Sequence, residues 1–367
     1  MFDSLLKYSL KIGGDLRTVE FLKDLRGVKS KDGETSEETD KLVRETEILR
    51  AQAFDDEFYG VLKSVVKIHF GGAGAKVGLI LPDSAFFTDT FKVPLIKGKT
   101  ESAVGVAIDA LYKNADELEV RTFPLSQNRQ TATFGALGIK RETLKKLRSA
   151  LEEDGVSVPE ITSEASATVA CVSALNPKLR NANYMLIDVK ADATKYIYVN
   201  GGIAVGSLSL PFGTKVLSKD YINQENSLFN HRSAESVVVK AQEKAKKNRV
   251  LSDAETGNAL AGKRRKAPKI LSRERPQTEE GFVYENFRPT IKYALEILSG
   301  NPELSPSEPL KNVYLNIPEE YGFLFDMIRS ENLSLSFEPL ALSEEVKADL
   351  ALYGGFYLKK YNKLTDF

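Results

Sequence analysis

Residues Leu186 to Gly202 narrow most sharply what this chain can fold into. Leu186-Ile187-Asp188-Val189 is an apolar run holding one acid, Lys190 to Ala193 is short and polar, and Thr194-Lys195-Tyr196-Ile197-Tyr198-Val199 is β-branched and aromatic. Such residues fit a pleated surface, so the segment reads as a strand, a turn, a second strand and a hairpin closed by Gly201-Gly202. A second pair of short strands is predicted at the start of the chain, at 8–12 and 17–22, with Gly13-Gly14 between them. A two-strand hairpin thus opens each half, near residues 8–22 and 184–199, and a duplicated α/β domain is the natural reading.

The intervening patterns support that class. Strands are predicted at 76–81, 86–93, 119–124, 130–135 and 312–317, and helices at 41–53, 55–68, 102–112, 140–154, 164–175, 321–329 and 348–361. The 140–154 helix is amphipathic: Leu144, Leu147 and Leu151 recur at three and four, and Gly155 suits its end. Pro289 is read as a helix start, opening an apolar face of Ile291, Ala294, Leu295 and Leu298. Residues 28–40 read as a loop.

The residue inventory excludes several chemistries. Among 367 residues there is one cysteine, Cys171, and two histidines, His69 and His231. A zinc site would have to rest on carboxylates, neither histidine sits in a triad context, and no Gly-x-Ser-x-Gly elbow occurs. Cys171 lies among alanines and valines and reads as an inert core thiol. Gly98-Lys99-Thr100 lacks the earlier glycine a P-loop requires, and Gly71-Gly72-Ala73-Gly74 precedes a strand instead of following one. The longest apolar runs are too short or too polar to span a bilayer, and the first residues lack a signal-peptide cleavage pattern.

Net charge is zero but unevenly spread. Residues 30–57 carry 10 acidic and 4 basic side chains, a net of −6; residues 240–275 carry 12 basic and 4 acidic, a net of +8. Lys263-Arg264-Arg265-Lys266 has no interleaved aromatics, which argues against single-stranded nucleic acid and for a solvated helix end and mobile loop. The competing reading is contact with acidic lipid headgroups or an acidic partner.

Segment order over nearly the whole chain resembles the PilM-type proteins of type IV pilus assembly, relatives of the division protein FtsA in the actin-like superfamily. The matching segments are Leu10 to Glu20, Leu79 to Phe87 with Val93-Pro94, Gly155 to Ala167, Leu208 to Gly213, and Asn286 to Leu298. The resemblance implies an actin-like, ribonuclease H-like duplicated fold with a small inserted subdomain over about 84–155. Its halves would span 1–180 and 181–345, with a basic mobile region at about 240–281 and a C-terminal helix, 346–367, returning to the first half. It implies phosphate-binding hairpins at Gly13-Gly14 and at Asp188, Lys190 and Thr194, vestigial in this chain because three motifs depart from the family. Lys11 replaces the acid that holds the metal–phosphate group, and a cation cannot coordinate Mg²⁺. Lys190 replaces the turn glycine, blocking close backbone approach to phosphate. Asn316-Ile317-Pro318-Glu319-Glu320, where the adenine-side turn falls, has no glycine, and Pro318 removes a donor. Glu164 matches an acidic position that can orient water, and it also reads as a helix-start carboxylate. No metal ligand set is expected.

The resemblance implies a scaffold at the inner face of the cytoplasmic membrane that grips the cytoplasmic tail of a single-span, PilN-like partner, with no ATP turnover, no cofactor and no nucleic-acid partner. The alternative is an active ATPase, needing ATP and Mg²⁺, in which Lys11 and Lys190 touch phosphate directly. A third reading, FtsA-like filaments, would need a membrane-targeting amphipathic tail at 356–367. A secretion-platform role stays open.

Overall fold

The computed structural model describes residues 6, 8–14, 16, 18–24, 42–48, 53–70, 74–152, 155–217, 279–299, 310–330 and 335–361. The loop expected at 28–40 and the basic block at 240–275 lie outside them.

Two five-stranded sheets repeat one plan. The first comprises β1 (Tyr8–Ile12), β2 (Thr18–Asp24), β3 (Leu42–Ile48), β4 (Lys76–Leu81) and, later in the chain, β8 (Ser157–Ser163), in the order β3-β2-β1-β4-β8. Its first three strands pair antiparallel, and β1, β4 and β8 run parallel. The second comprises β9 (Tyr184–Val189), β10 (Thr194–Asn200), β11 (Ile203–Leu210), β12 (Asn312–Asn316) and β13 (Ser336–Pro339), in the order β11-β10-β9-β12-β13. Its strand senses are the same: antiparallel among β9, β10 and β11, parallel from β9 through β12 to β13.

Helices cover the faces. α1 (Asp56–Phe70) and α3 (Arg141–Glu152) lay Phe58, Leu62, Val66, Leu147 and Leu151 on Leu10, Ile12, Leu79 and Leu81. Each such side chain gains roughly 1.5–3 kcal/mol on full burial. α4 (Glu164–Leu175) follows β8, with Ser163 as its N-cap accepting from Ser166 N. It carries no amphipathic stripe because every residue from Ala165 to Ser173 is buried. Its Ala167 and Ala170 contact Ile80 of the first sheet's core, and Val169 and Val172 join Leu186 and Ile197 of the second.

Between β4 and β8 a three-stranded antiparallel sheet is inserted, ordered β5 (Phe87–Pro94), β7 (Thr131–Lys140), β6 (Leu118–Gln127). α2 (Thr100–Leu111) packs Val104 and Ile108 on Phe91, Val93 and Ala136, while Phe123, Leu137 and Ile139 face the main core.

Beyond β11 come a short α5 (Thr214–Leu217), α6 (Glu279–Ser299) and α7 (Phe323–Ser330). The last described elements are α8 (Glu344–Ala348), α9 (Leu350–Gly354), a 3₁₀ turn at Gly355–Tyr357 and α10 (Leu358–Tyr361). This end docks on the first half: Leu6 N donates to the Phe356 carbonyl at 3.0 Å, and Gly354 lies against Ala167 of α4.

Several sequence expectations are corrected. The 41–53 helix is strand β3, whose exposure alternates from Val43 to Ile48; its acids pair with cations on β2 and α1 instead of lining a helix face. Pro289 lies inside α6, not at its start. One lost hydrogen bond is outweighed by a buried stripe of Val283, Phe287, Ile291 and Ala294. The 348–361 helix is broken at Asp349, whose backbone is non-helical (φ −154°, ψ 79°) and whose side chain caps α9. Strand β8, which runs into the helix read at 164–175, went unread, as did β11 and β13.

Candidate functional site

The two hairpins that open the halves meet near the C-terminal segment, and their registers make an internal comparison. In the first hairpin Ile12 pairs with Val19 and Lys11 with Glu20. In the second, Val189 pairs with Thr194 and Asp188 with Lys195. Lys11 therefore stands where the other half has Asp188, and Glu20 where it has Lys195. Both hairpins keep one acid and one base at that pair, with the signs exchanged.

Lys11 is buried and its ammonium is committed. It pairs with Asp349 and, at 3.3 Å, with Glu20. Arg44 of β3 pairs with Glu20 too and lies 3.2 Å from Asp349. Burial alone would push the Lys11 ammonium down; the charges of Asp349, Glu20 and Glu164 outweigh it, and the net direction is up. Burial likewise pushes the Asp349 carboxyl up, but the charges of Lys11 and Lys190 and the hydrogen bonds from Lys11 and Leu352 N hold it well below the usual carboxylate range.

Asp188 is buried at the end of β9. Asn316 Nδ2 donates to its Oδ1 at 2.6 Å, and Lys190 Nζ lies 3.3 Å from the same oxygen. Lys190 also donates to the carbonyls of Lys347 (3.2 Å) and Ala348 (2.8 Å), and Asn316 to that of Lys347 at 2.8 Å. The two side chains at the second hairpin thus grip the backbone of the C-terminal segment. Thr194 Oγ1 donates to the Phe212 carbonyl at 2.6 Å.

The turn between β9 and β10 needs a glycine elsewhere. Thr214 N and Lys215 N donate to the Lys190 and Ala191 carbonyls, both at 2.9 Å. Gly213 packs so closely there that a Cβ would sit 2.4 Å from those oxygens. In the first hairpin a Cβ on Gly14 would meet no described atom within 4 Å. Gly13 N donates to the Thr18 carbonyl at 2.8 Å, closing the turn.

Glu164 opens α4 and accepts from Lys195 Nζ, which also lies 3.1 Å from Asp83 Oδ2. Asp83 in turn accepts from Ala165 N at 2.9 Å and from Ser207 Oγ at 3.1 Å. Lys195 on β10 of the second sheet is therefore clamped to acids of the first half, and its ammonium is pushed up in spite of burial. Pro318 (φ −56°, ψ 146°) leads a 3₁₀ turn at Glu319–Tyr321 past the end of β12. Burial pushes the Cys171 thiol up, away from the reactive thiolate. Among the described residues no cluster of three or more His, Cys, Asp or Glu is arranged to hold a metal, and no helix is long and apolar enough to cross a membrane.

Sequence reasoning reached Lys11, Gly13, Gly14, Asp188, Lys190, Thr194 and Glu164 but missed Glu20, Arg44, Asp83, Lys195, Asn316 and Asp349. One signal was available: Lys11 and Lys195 interrupt apolar strands, and a lysine there demands a buried counter-ion. The counter-ions themselves are remote in sequence and unreadable from it.

No protein-family model matches the sequence, and no curated protein sequence does. Among solved structures the chain is similar to one described as a PilM–PilN type IV pilus biogenesis complex, at 15% identity and a TM-score of 0.51, over 96% of this chain and 97% of that one. It is also similar to the cytoplasmic domain of EpsL, an inner membrane component of the type II secretion system of Vibrio cholerae (12% identity, TM-score 0.36, 59% and 76% of the two chains). A ROK hexokinase from Thermus thermophilus aligns over 98% and 99% at 12% identity and TM-score 0.40. The first alignment covers both hairpin-led sheets, and with their matched strand order it gives the fold class: an actin-like, duplicated α/β fold carrying a small inserted subdomain.

Proposed function

We propose that this protein is a scaffold of a type IV pilus or related secretion assembly platform, working at the cytoplasmic face of the inner membrane without ATP turnover. The observation that carries the loss of turnover is Lys11, which takes the register position that Asp188 holds in the other half and is bound to Glu20 and Asp349. An Mg²⁺–phosphate group needs oxygen ligands and free backbone or cationic donors at the hairpin turns. Here the cations are spent on carboxylates and carbonyls of the chain itself, the Asp188 carboxylate is held by Asn316 and Lys190, and position 190 has no glycine. The residues do not fit that group. A phosphate-contacting role for Lys11 and Lys190 would first require both to leave these partners.

The platform role rests on likeness to a chain of a PilM–PilN complex over nearly the full length of both. The same likeness supports a partner of PilN type; that this partner is a single-span membrane protein offering its cytoplasmic N-terminal tail is our reading from the segment resemblance. The test has two arms on the purified chain. Equilibrium dialysis with ATP and Mg²⁺, with phosphate release followed in parallel, is expected to show neither binding nor hydrolysis above background. Fluorescence anisotropy with the labelled cytoplasmic tail of a single-span protein encoded nearby is expected to show saturable binding. Phosphate release that disappears in Asp188→Ala, or an unbound peptide, would overturn the corresponding half.

A further inference from the structure

We propose that the Asp349 carboxylate is an internal substitute for a bound phosphate: a resident anion that joins the two halves through Lys11 and Arg44 of the first sheet and the Lys190 turn of the second. This rests on the reading above that no nucleotide does that work. Asp349 sits where α8 ends and α9 begins, on the segment that leaves the second sheet and docks on the first half. Its Oδ2 faces Lys11 and Arg44, and its Oδ1 accepts from Leu352 N at 3.1 Å. The residues just before it supply the carbonyls that Lys190 and Asn316 bind. The groups placed around both hairpin turns therefore converge on one stretch of the protein's own chain.

Charge balance gives the idea its consequence. Lys11 and Arg44 share two carboxylates, Glu20 and Asp349, and Glu164 adds a more distant negative charge to Lys11. Removing the Asp349 side chain takes away one of those two contacts and leaves both cations to share Glu20 beside a vacated, buried space. Leaving charge unpaired in such a place is costly, so a small anion binding there stabilises the folded state by mass action.

The experiment is a thermal melt of full-length wild type, Asp349→Ala and Lys11→Ala/Asp349→Ala in potassium phosphate and in potassium chloride of matched ionic strength. The chloride arm and the double variant remove the general salting effect of phosphate. Asp349→Ala is expected to melt lower than wild type in chloride and to regain about 3 °C or more in phosphate beyond the change in wild type, with the double variant regaining none of that excess. Should Asp349→Ala be unfolded in chloride, far-ultraviolet circular dichroism replaces the melt, and phosphate is expected to restore the folded signal. An equal response of all three proteins to phosphate, or no recovery of Asp349→Ala, overturns the substitute role. Mg²⁺-dependent ATP hydrolysis by the wild type overturns the underlying reading instead, so the two failures are told apart.

Discussion

Lys11 and Asp349, 338 positions apart in the chain, form a buried ion pair between the first strand of the protein and the segment that closes it. Around them the two halves of a duplicated fold are tied by a second ionic cluster, Lys195 with Asp83 and Glu164. The polar contacts around each hairpin are thus made within the chain, and several measurable consequences follow from that arrangement.

Breaking the pair from one side strands a buried charge. Lys11→Ala is expected to cost about 3 kcal/mol or more of unfolding free energy in urea titrations. Lys11→Ala/Asp349→Ala is expected to cost less than the sum of the single changes by about 1 kcal/mol or more, because the double change removes both unpaired charges. Strict additivity would mean the pair contributes no coupling.

The pH dependence has two limbs. Asp349 is held below its ordinary value of 3.8, to about 2, so its contribution is fully present above 3.8 and is lost as pH falls toward 2. Lys11 is raised above 10.5, so its contribution is full below that value and disappears as pH climbs through the raised one. Urea midpoints measured between pH 2 and 5 are expected to show the acid limb in wild type, with a smaller slope in Asp349→Asn. An unchanged slope in that variant would count against the assignment.

Close packing of the C-terminal segment makes Gly354 intolerant. A Cβ there would lie 1.9 Å from the Ala167 carbonyl oxygen, within the backbone of α4, so Gly354→Ala is expected to destabilise by about 3 kcal/mol or to prevent folding. Gly14→Ala meets no described atom and is expected to change stability by less than about 0.5 kcal/mol. The contrast in melting temperature checks both. Equal loss would mean the first hairpin still needs its glycine.

Glu164 is expected to act as an anchor for Lys195, not as a general base. Glu164→Gln should lower the melting temperature and leave phosphate release at the background level of the wild type, whereas Lys195→Met, which leaves Asp83 and Glu164 without their cation, should cost more than Glu164→Gln. Calorimetric melts with parallel phosphate assays decide.

Binding of the partner's tail is expected to change less than about threefold between ~0.1 M and ~1 M salt if the contact is an apolar groove, since the screening length falls from about 10 Å to about 3 Å over that range. Deleting residues 252–275 is expected to leave peptide binding intact. Recruitment through that basic block would instead appear as binding to anionic liposomes that collapses with salt.

The sequence by itself determined the local elements wherever one local rule dominated. The strand at Lys76–Leu81 and the helix at Glu164–Leu175 were read to the residue, because an unbroken apolar run and a capped, alanine-rich stretch each have one local solution. The duplicated hairpin was legible for the same reason, as were the lysines at positions 11 and 190 once the hairpins were placed. Strand β3 was misread because Leu42–Ile48 carries three charges, Arg44, Glu45 and Glu47, and becomes a strand only through its pairing with β2 and the opposite charges on β2 and α1. The break at Asp349 was equally hidden. Only the tertiary structure brings Lys11, Arg44, Lys190 and Asn316 to one segment, because ion pairing acts through space and its partners here lie up to 338 residues apart.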